Sequence, residues 1–99
     1  MARFAVYAEP EGDGYLLDVQ ADALYQLNTR ITIPLLPSQR APLPAKTLNP
    51  VFRIGTVDYV LATQYMGAMP ARILQHSPFT LSQRREEIVA AIDLLLQGF

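Results

Sequence analysis

The chain has no cysteine, no tryptophan and a single histidine. Without cysteine, a disulfide framework and a thiolate zinc site are both excluded. Absence of cysteine is compatible with a reducing cytosol. Met1-Ala2-Arg3-Phe4 lacks the apolar core of a signal peptide, and no apolar run reaches the roughly 20 residues that span a bilayer, so the expected compartment is the cytoplasm. A Ser-His-Asp hydrolase needs a base beside its nucleophile. The lone His76 stands two residues before Pro78 in a stretch that reads as surface loop. No glycine-rich phosphate cradle is present. Lys and Arg number 8 against 9 Asp and Glu, and they are scattered, giving a net charge of −1. Direct nucleic-acid binding by this chain alone is therefore not expected. Neither a metal nor a cofactor is expected.

What is there is apolar. Of 99 residues, 51% are hydrophobic, enough for one domain over residues 1–99 with one modest core. The most apolar stretch is the last, Leu81–Phe99, which reads as the one long helix. Thr80 or Ser82 is placed to cap its start. Glu86 and Glu87 sit in the first turns, where the helix dipole favours negative charge. Gly98 stands where a left-handed residue ends a helix. Ile88, Ala91, Ile92 and Leu95 form one stripe at helical spacing, and Val89, Leu96 and Phe99 form a second beside it. Leu94 falls on neither stripe. A helix lying on a small domain needs one apolar face, not most of its circumference. The excess implies a second surface, either a twin subunit or a target protein. The plain alternative is a core helix with a frayed tail.

Upstream, the pattern is of short strands. Arg3–Ala8 starts the series, with Phe4 and Val6 on one face and Ala5 and Tyr7 on the other. Glu9–Gly14 is a turn cluster, and Tyr15–Gln20 a second strand with Tyr15, Leu17 and Val19 together. Ala21–Leu27 reads as a short helical turn or a connection, over-hydrophobic for a solvated loop. Arg30–Leu35 is a third strand, expected to end near Pro34 because proline cannot donate to a ladder. A proline-punctuated loop runs from Leu36 to Pro50. Val51–Gly55 and Asp58–Thr63 form a hairpin around 55–57. Tyr65–Pro70 reads as a turn and Ala71–Leu74 as a last strand. Many short strands followed by one helix indicate a mainly β fold, a small twisted barrel or sandwich with a helix alongside.

Chemistry is sparse. Asp18 and Asp22 are close in sequence, but one lies in a strand and the other in the next connection, where a turn role suits it better. Arg53 and Asp58 face each other across the hairpin as an ion pair or, less simply, as part of an RNA-cleaving site. Nothing specifies an enzyme.

Seven stretches together nevertheless form a pattern: Phe4–Tyr7, Leu17–Asp22, Arg30–Leu35, Asn49–Gly55, Met66–Pro70, Leu81–Arg84 and Ala91–Leu94. In this order and at this spacing, over essentially the whole length, the chain resembles the CcdB family, toxins of bacterial toxin–antitoxin modules that act on DNA gyrase. The resemblance implies an SH3-like barrel with a C-terminal helix, in a homodimer whose two helices lie close together. It implies a protein that is not an enzyme, but binds the gyrase A subunit while its DNA gate is open and holds the enzyme on cleaved DNA. Such a poison works by binding the cleaved state better than the others.

Carried over residue by residue, the family's gyrase contacts fall on Gln97, Gly98 and Phe99, on Ala23 and Leu24, on Asp93, and on Arg85, Glu86 and Val89. Gln97 is the main departure, because the best-known pattern has tryptophan there. Tryptophan can stack on an arginine of the target, whereas glutamine can only hydrogen-bond. Phe99 offers an aromatic side chain two positions later. The resemblance also implies an antitoxin with a disordered C-terminal arm that folds on the toxin. The expected antitoxin contacts are Glu9, Glu11, Gly12 and Asp13 in the first turn, and Arg40, Lys46 and Asn49 in the long loop. DNA would be met only indirectly, through the antitoxin.

Two rivals stand beside this reading. The same barrel hosts endoribonuclease toxins, and fold does not fix function; the residues available for that chemistry are Arg53, Asp58 and His76. The other rival is a degenerate member that keeps its antitoxin but no longer poisons gyrase, with Gln97 as the cause.

Overall fold

The computed structural model of the protein describes residues 2–98. Seven strands form one curled antiparallel sheet: β1 (Ala5–Ala8), β2 (Tyr15–Asp18), β3 (Thr29–Pro37), β4 (Val51–Ile54), β5 (Val57–Leu61), β6 (Gly67–Pro70) and β7 (Phe79–Thr80). The order is β4-β5-β3-β2-β1-β7, with β6 also on β3. One helix, α1 (Arg85–Gln97), follows. The mainly β architecture with a C-terminal helix is the one expected, as a half-barrel with β4 and β7 at the ends of its strand path.

β3 is the spine. It pairs with β2 along one side, while β6 covers its first half and β5 its end on the other. The strand runs through Pro34 rather than stopping there. Residues 33–34 lie in the gap between the β6 and β5 ladders, and the Pro34 carbonyl accepts from the Ala62 N–H at 2.9 Å. A strand residue directs its N–H and C=O to the same side, so the missing donor of Pro34 falls where no ladder bond is due.

Two expectations about short elements need correcting. Ala71–Leu74 is not a strand: Ala71–Ile73 is a 3-10 turn, the strand β6 lies one step earlier, and the last strand is the two-residue β7. The free edge of β3 supplies a ladder to residues whose Gly and Met content reads locally as a turn. The second hairpin turns on two residues, Gly55-Thr56, because Ile54 pairs directly with Val57. Gly55 takes φ +65°, which glycine adopts without cost. Ala21–Leu27 contains a 3-10 turn, Asp22–Leu24, one of the two forms anticipated.

Side-chain alternation sorts the strands into two faces. One face carries Phe4, Val6, Leu17, Val19, Ile33, Leu35, Phe52, Tyr59 and Leu61, and α1 closes this core with Ile88. Complete burial of a side chain such as Ile88 contributes about 1.5–3 kcal/mol. The opposite face carries a smaller cluster of Ala5, Tyr7, Leu16 and Leu74, covered in part by Met69 and Ile73.

The helix begins at Arg85, after a 3-10 turn over Ser82–Arg84. Its expected side-chain cap is absent, since Arg84 occupies the capping position and makes no capping bond. The Thr80 hydroxyl instead accepts from the Ser82 N–H at 3.2 Å, one turn too early to cap the α-helix. The other end is as anticipated: Gly98 is left-handed at φ +80° and its N–H bonds to the Leu94 carbonyl at 3.0 Å.

Candidate functional site

The apolar excess of α1 has a definite outcome. Ile88 and Ala91 are buried, whereas Leu95 is 37% and Leu96 66% exposed. The 3-10 turn Thr63–Tyr65 packs on α1, and its Tyr65 is also exposed, as are Leu24, Tyr25 and Leu27 in the 21–29 segment. The last apolar residues of α1 and the Leu24–Leu27 side chains, both over-apolar in the sequence, are thus left facing solvent.

The outer face of α1 brings four expected gyrase-contact residues together. Arg85, Glu86, Val89 and Asp93 line one open cavity of about 530 Å³, with Ala90 and Arg3. Arg3 was not anticipated; a lone arginine at the head of a strand gives no sign of meeting a helix 80 residues later. Its guanidinium sits 4.7 Å from the centre of the Phe4 ring, and that of Arg85 sits 5.6 Å from the same centre. Phe4 is buried and holds a left-handed backbone at φ +72°. Its N–H reaches the Asp18 carbonyl at 2.6 Å, and its carbonyl accepts from the Leu81 N–H at 2.9 Å. These bonds tie the first strand to the segment leading into α1.

Gln97 is the last helical residue, exposed, with its amide 3.5 Å from the Asp93 carboxylate one turn back. Gly98 turns the chain off the helix axis. Phe99 lies outside the described residues. Ala23 and Leu24 are exposed on their 3-10 turn and do not line the α1 cavity.

A second set gathers at the β1–β2 turn. Glu9, Glu11, Gly12, Asp13 and Arg40 line a cavity of about 820 Å³ floored by Met69 and Ile73. Arg40 bridges the two segments expected to meet an antitoxin: its Nε donates to Asp13 at 2.7 Å and its Nη2 to Glu9 at 2.9 Å. The hydrogen bond to Asp13, with both carboxylates nearby, pushes the Arg40 pKa up. Lys46 is exposed elsewhere on the loop. Asn49 is buried: its amide donates to the Leu61 carbonyl at 3.0 Å and to Gln64 at 2.8 Å, and its oxygen accepts from the Ala45 N–H at 3.0 Å. It shapes the loop from within rather than presenting a surface.

The ribonuclease candidates do not converge. Arg53 and Asp58 form an exposed ion pair at 2.9 Å across the β4–β5 hairpin. The cavity that His76 lines contains Glu9 and Arg72 but neither Arg53 nor Asp58. Asp18 and Asp22 also separate: Asp18 pairs with buried Arg30, and Asp22 accepts the Arg3 backbone N–H at 2.8 Å. No metal-holding group of three or more His, Asp or Glu occurs among the described residues, and no helix there is long and apolar enough to cross a membrane.

A family model described as CcdB protein matches residues 3–98. The chain belongs to the CcdB family. Membership supports, in general terms, the role of toxin in a toxin–antitoxin pair with gyrase as its target, and a protein that is not itself an enzyme. The half-barrel sheet and the terminal helix fit that family.

Proposed function

We propose that this chain binds the gyrase A subunit and traps gyrase on cleaved DNA, and that a cognate antitoxin neutralises it. The observation that carries this reading is the exposed side of α1. Arg85, Glu86, Val89 and Asp93 share one cavity on its outer face, Leu95 and Leu96 stay exposed, and Gly98 ends the helix in a left-handed conformation. The proposed gyrase surface comprises these helical residues with Ala23, Leu24, Gln97 and Phe99. The exposed Leu95, Leu96 and Tyr65 supply apolar surface for a homodimer whose two helices meet. The chain contributes no catalysis; cleavage of DNA belongs to gyrase, and the poison acts by preferring the cleaved state. DNA at an operator is met through the antitoxin.

Gln97 supports a second reading, a family member that keeps its antitoxin but has lost the poison. Its amide turns back toward Asp93 and it lacks the stacking surface of the family's tryptophan. Gyrase-mediated DNA cleavage with the full chain and with a chain lacking Gln97-Gly98-Phe99 decides between them. Cleaved DNA accumulating with the full chain only supports the poison and assigns its contact to the tail. No cleavage with either, from a folded protein and the native host's gyrase, supports the second reading.

A further inference from the structure

We propose that Gln20 is a positioning residue for the gyrase surface: its side-chain amide fixes the Asp22–Leu24 turn so that Leu24 and Tyr25 meet the target already ordered. This rests on the gyrase reading above and names a residue that acts from inside the domain.

The chain leaves the sheet after β2, and Gln20 is how it leaves. In an antiparallel ladder a hydrogen-bonded pair exchanges both of its N–H to carbonyl bonds. The Val19 N–H donates to the Ile31 carbonyl at 3.0 Å. The return bond is replaced. The Ile31 N–H donates to the Gln20 side-chain oxygen at 3.1 Å, and the Val19 carbonyl accepts from Arg3 Nε at 3.0 Å. The Gln20 side chain thus stands in for backbone while the backbone itself turns outward. Its nitrogen donates to the Leu24 carbonyl at 3.2 Å. With its oxygen accepting on one side and its nitrogen donating on the other, the amide has a single working orientation. Gln20 is only 6% exposed, and its N–H is held by the buried Asp18 carboxylate at 3.0 Å.

The turn has little else to order it. None of Asp22, Ala23 and Leu24 is buried, and Leu24, Tyr25 and Leu27 are 49%, 66% and 50% exposed. Apolar packing therefore contributes little, and hydrogen bonds set the shape. Inside the segment, the N–H groups of Leu24, Tyr25 and Leu27 bond to the carbonyls of Ala21, Asp22 and Leu24. Two side-chain bonds tie it to the rest of the domain: Gln20 to Leu24, and the Asp22 carboxylate accepting the Arg3 N–H at 2.8 Å. Arg3 also lines the α1 cavity, so the turn adjoins the other proposed contacts. A segment ordered before it binds costs less on association than one that must be ordered by its target.

The test is calorimetric titration of the native host's gyrase A subunit with the full chain and its variants, each checked for folding by thermal melting. Gln20→Met keeps the length of the side chain and removes both amide bonds; it is expected to weaken binding about 10-fold. Made on top of Leu24→Ala with Tyr25→Ala, the same change has nothing left to present and should weaken binding by less than about 2-fold more. Amide hydrogen exchange of Gln20→Met should quicken at Leu24, Tyr25 and Leu27. It should stay unchanged at Leu61 and Ala62, whose N–H groups bond to the Pro50 and Pro34 carbonyls. Asp22→Ala, at an exposed site, should weaken binding about 3-fold in the same way, and keeps the test decisive if Gln20→Met does not fold. An equal loss in both backgrounds would make Gln20 a matter of general stability and overturn the proposal. Unchanged binding, or unchanged exchange at the turn, overturns it as well while leaving the gyrase reading intact. A wild type that does not bind the subunit overturns the gyrase reading, and the role of Gln20 with it.

Discussion

Arg30 and Asp18 form an ion pair that solvent does not reach: Nε donates to Oδ2 at 2.8 Å, and both side chains are fully buried. The Asp18 carboxylate also accepts the Gln20 N–H at 3.0 Å. Nη2 lies 2.7 Å from the same Oδ2 but off the line of a hydrogen bond, a charge contact only, and Nη1 has no protein partner. The pair sits on the smaller-core face of the sheet, near Tyr7. Burial, with the Asp18 charge adding to it, raises the Tyr7 phenol above its ordinary value. Removing one member strands the other charge in the interior. Asp18→Asn should therefore cost about 3–5 kcal/mol, far more than an exposed pair. Replacing both, Asp18→Leu with Arg30→Met, should recover most of that loss. Urea midpoints of the wild type and the two variants measure it, and a double variant as weak as Asp18→Asn would contradict the account.

Among the described residues, two non-glycine residues hold left-handed backbones, Phe4 at φ +72° and Thr47 at φ +70°. The conformation is costly for both, yet the surroundings differ. Phe4 is buried in the main core beneath Arg3 and Arg85. Thr47 is exposed in the long loop. Thr47→Asn should stabilise the fold by about 0.5–1 kcal/mol, because asparagine tolerates this region. Phe4→Gly relieves the same strain but deletes a core ring and should lose about 3 kcal/mol or more. Thermal melts of the pair should move in opposite directions.

What the sequence disclosed follows from the range of the forces involved. Alternation at Phe4–Tyr7 and Tyr15–Val19, the stripes of α1 and the left-handed role of Gly98 are local, and each is read from neighbours in the chain. β6 was missed because its strand character comes from the edge of β3, about 35 residues earlier in the chain. The Asp18–Arg30 pair was missed for the same reason, since its partners share a face only once β2 and β3 are in register. Among the candidate contacts, the family resemblance rather than local pattern named the α1 set and the β1–β2 turn, and the structure gathers most of each set around one cavity. Arg3, Met69 and Ile73 became visible only when distant segments met. Asn49 shows the converse, a polar loop residue whose burial nothing local announces.

Arg84 and Glu87 stand one turn apart at the start of α1, with Nη2 donating to Oε2 at 2.9 Å. That hydrogen bond, with the Arg84 charge behind it, holds the Glu87 carboxyl below its ordinary 4.5. The folded state keeps the carboxylate ionised to lower pH than the unfolded state does. The stabilisation is complete above the ordinary value and is lost as pH falls through the lowered one. Both side chains are nearly half exposed, so the effect is small. Glu87→Gln should cost about 0.3–0.5 kcal/mol at neutral pH and close to nothing at roughly pH 2. Denaturant titrations at the two pH values check it; an equal cost at both would mean that charge is not the cause.

The exposed end of α1 yields the prediction on which the proposed assembly depends. Leu96 is 66% exposed, so the single chain gains little from its side chain. If two helices pack together there, Leu96→Asp places a charge in the contact without disturbing the core beneath Ile88 and Ala91. The wild type should sediment as a dimer of the 11.0 kDa chain at micromolar concentration, and Leu96→Asp as the single chain. Circular dichroism of the variant should still show a folded domain, with a melting temperature that no longer depends on protein concentration. Loss of the dimer with retention of the fold assigns the apolar surplus of α1 to association. A wild type that sediments only as the single chain would remove the dimer and leave Leu95 and Leu96 as contacts for gyrase.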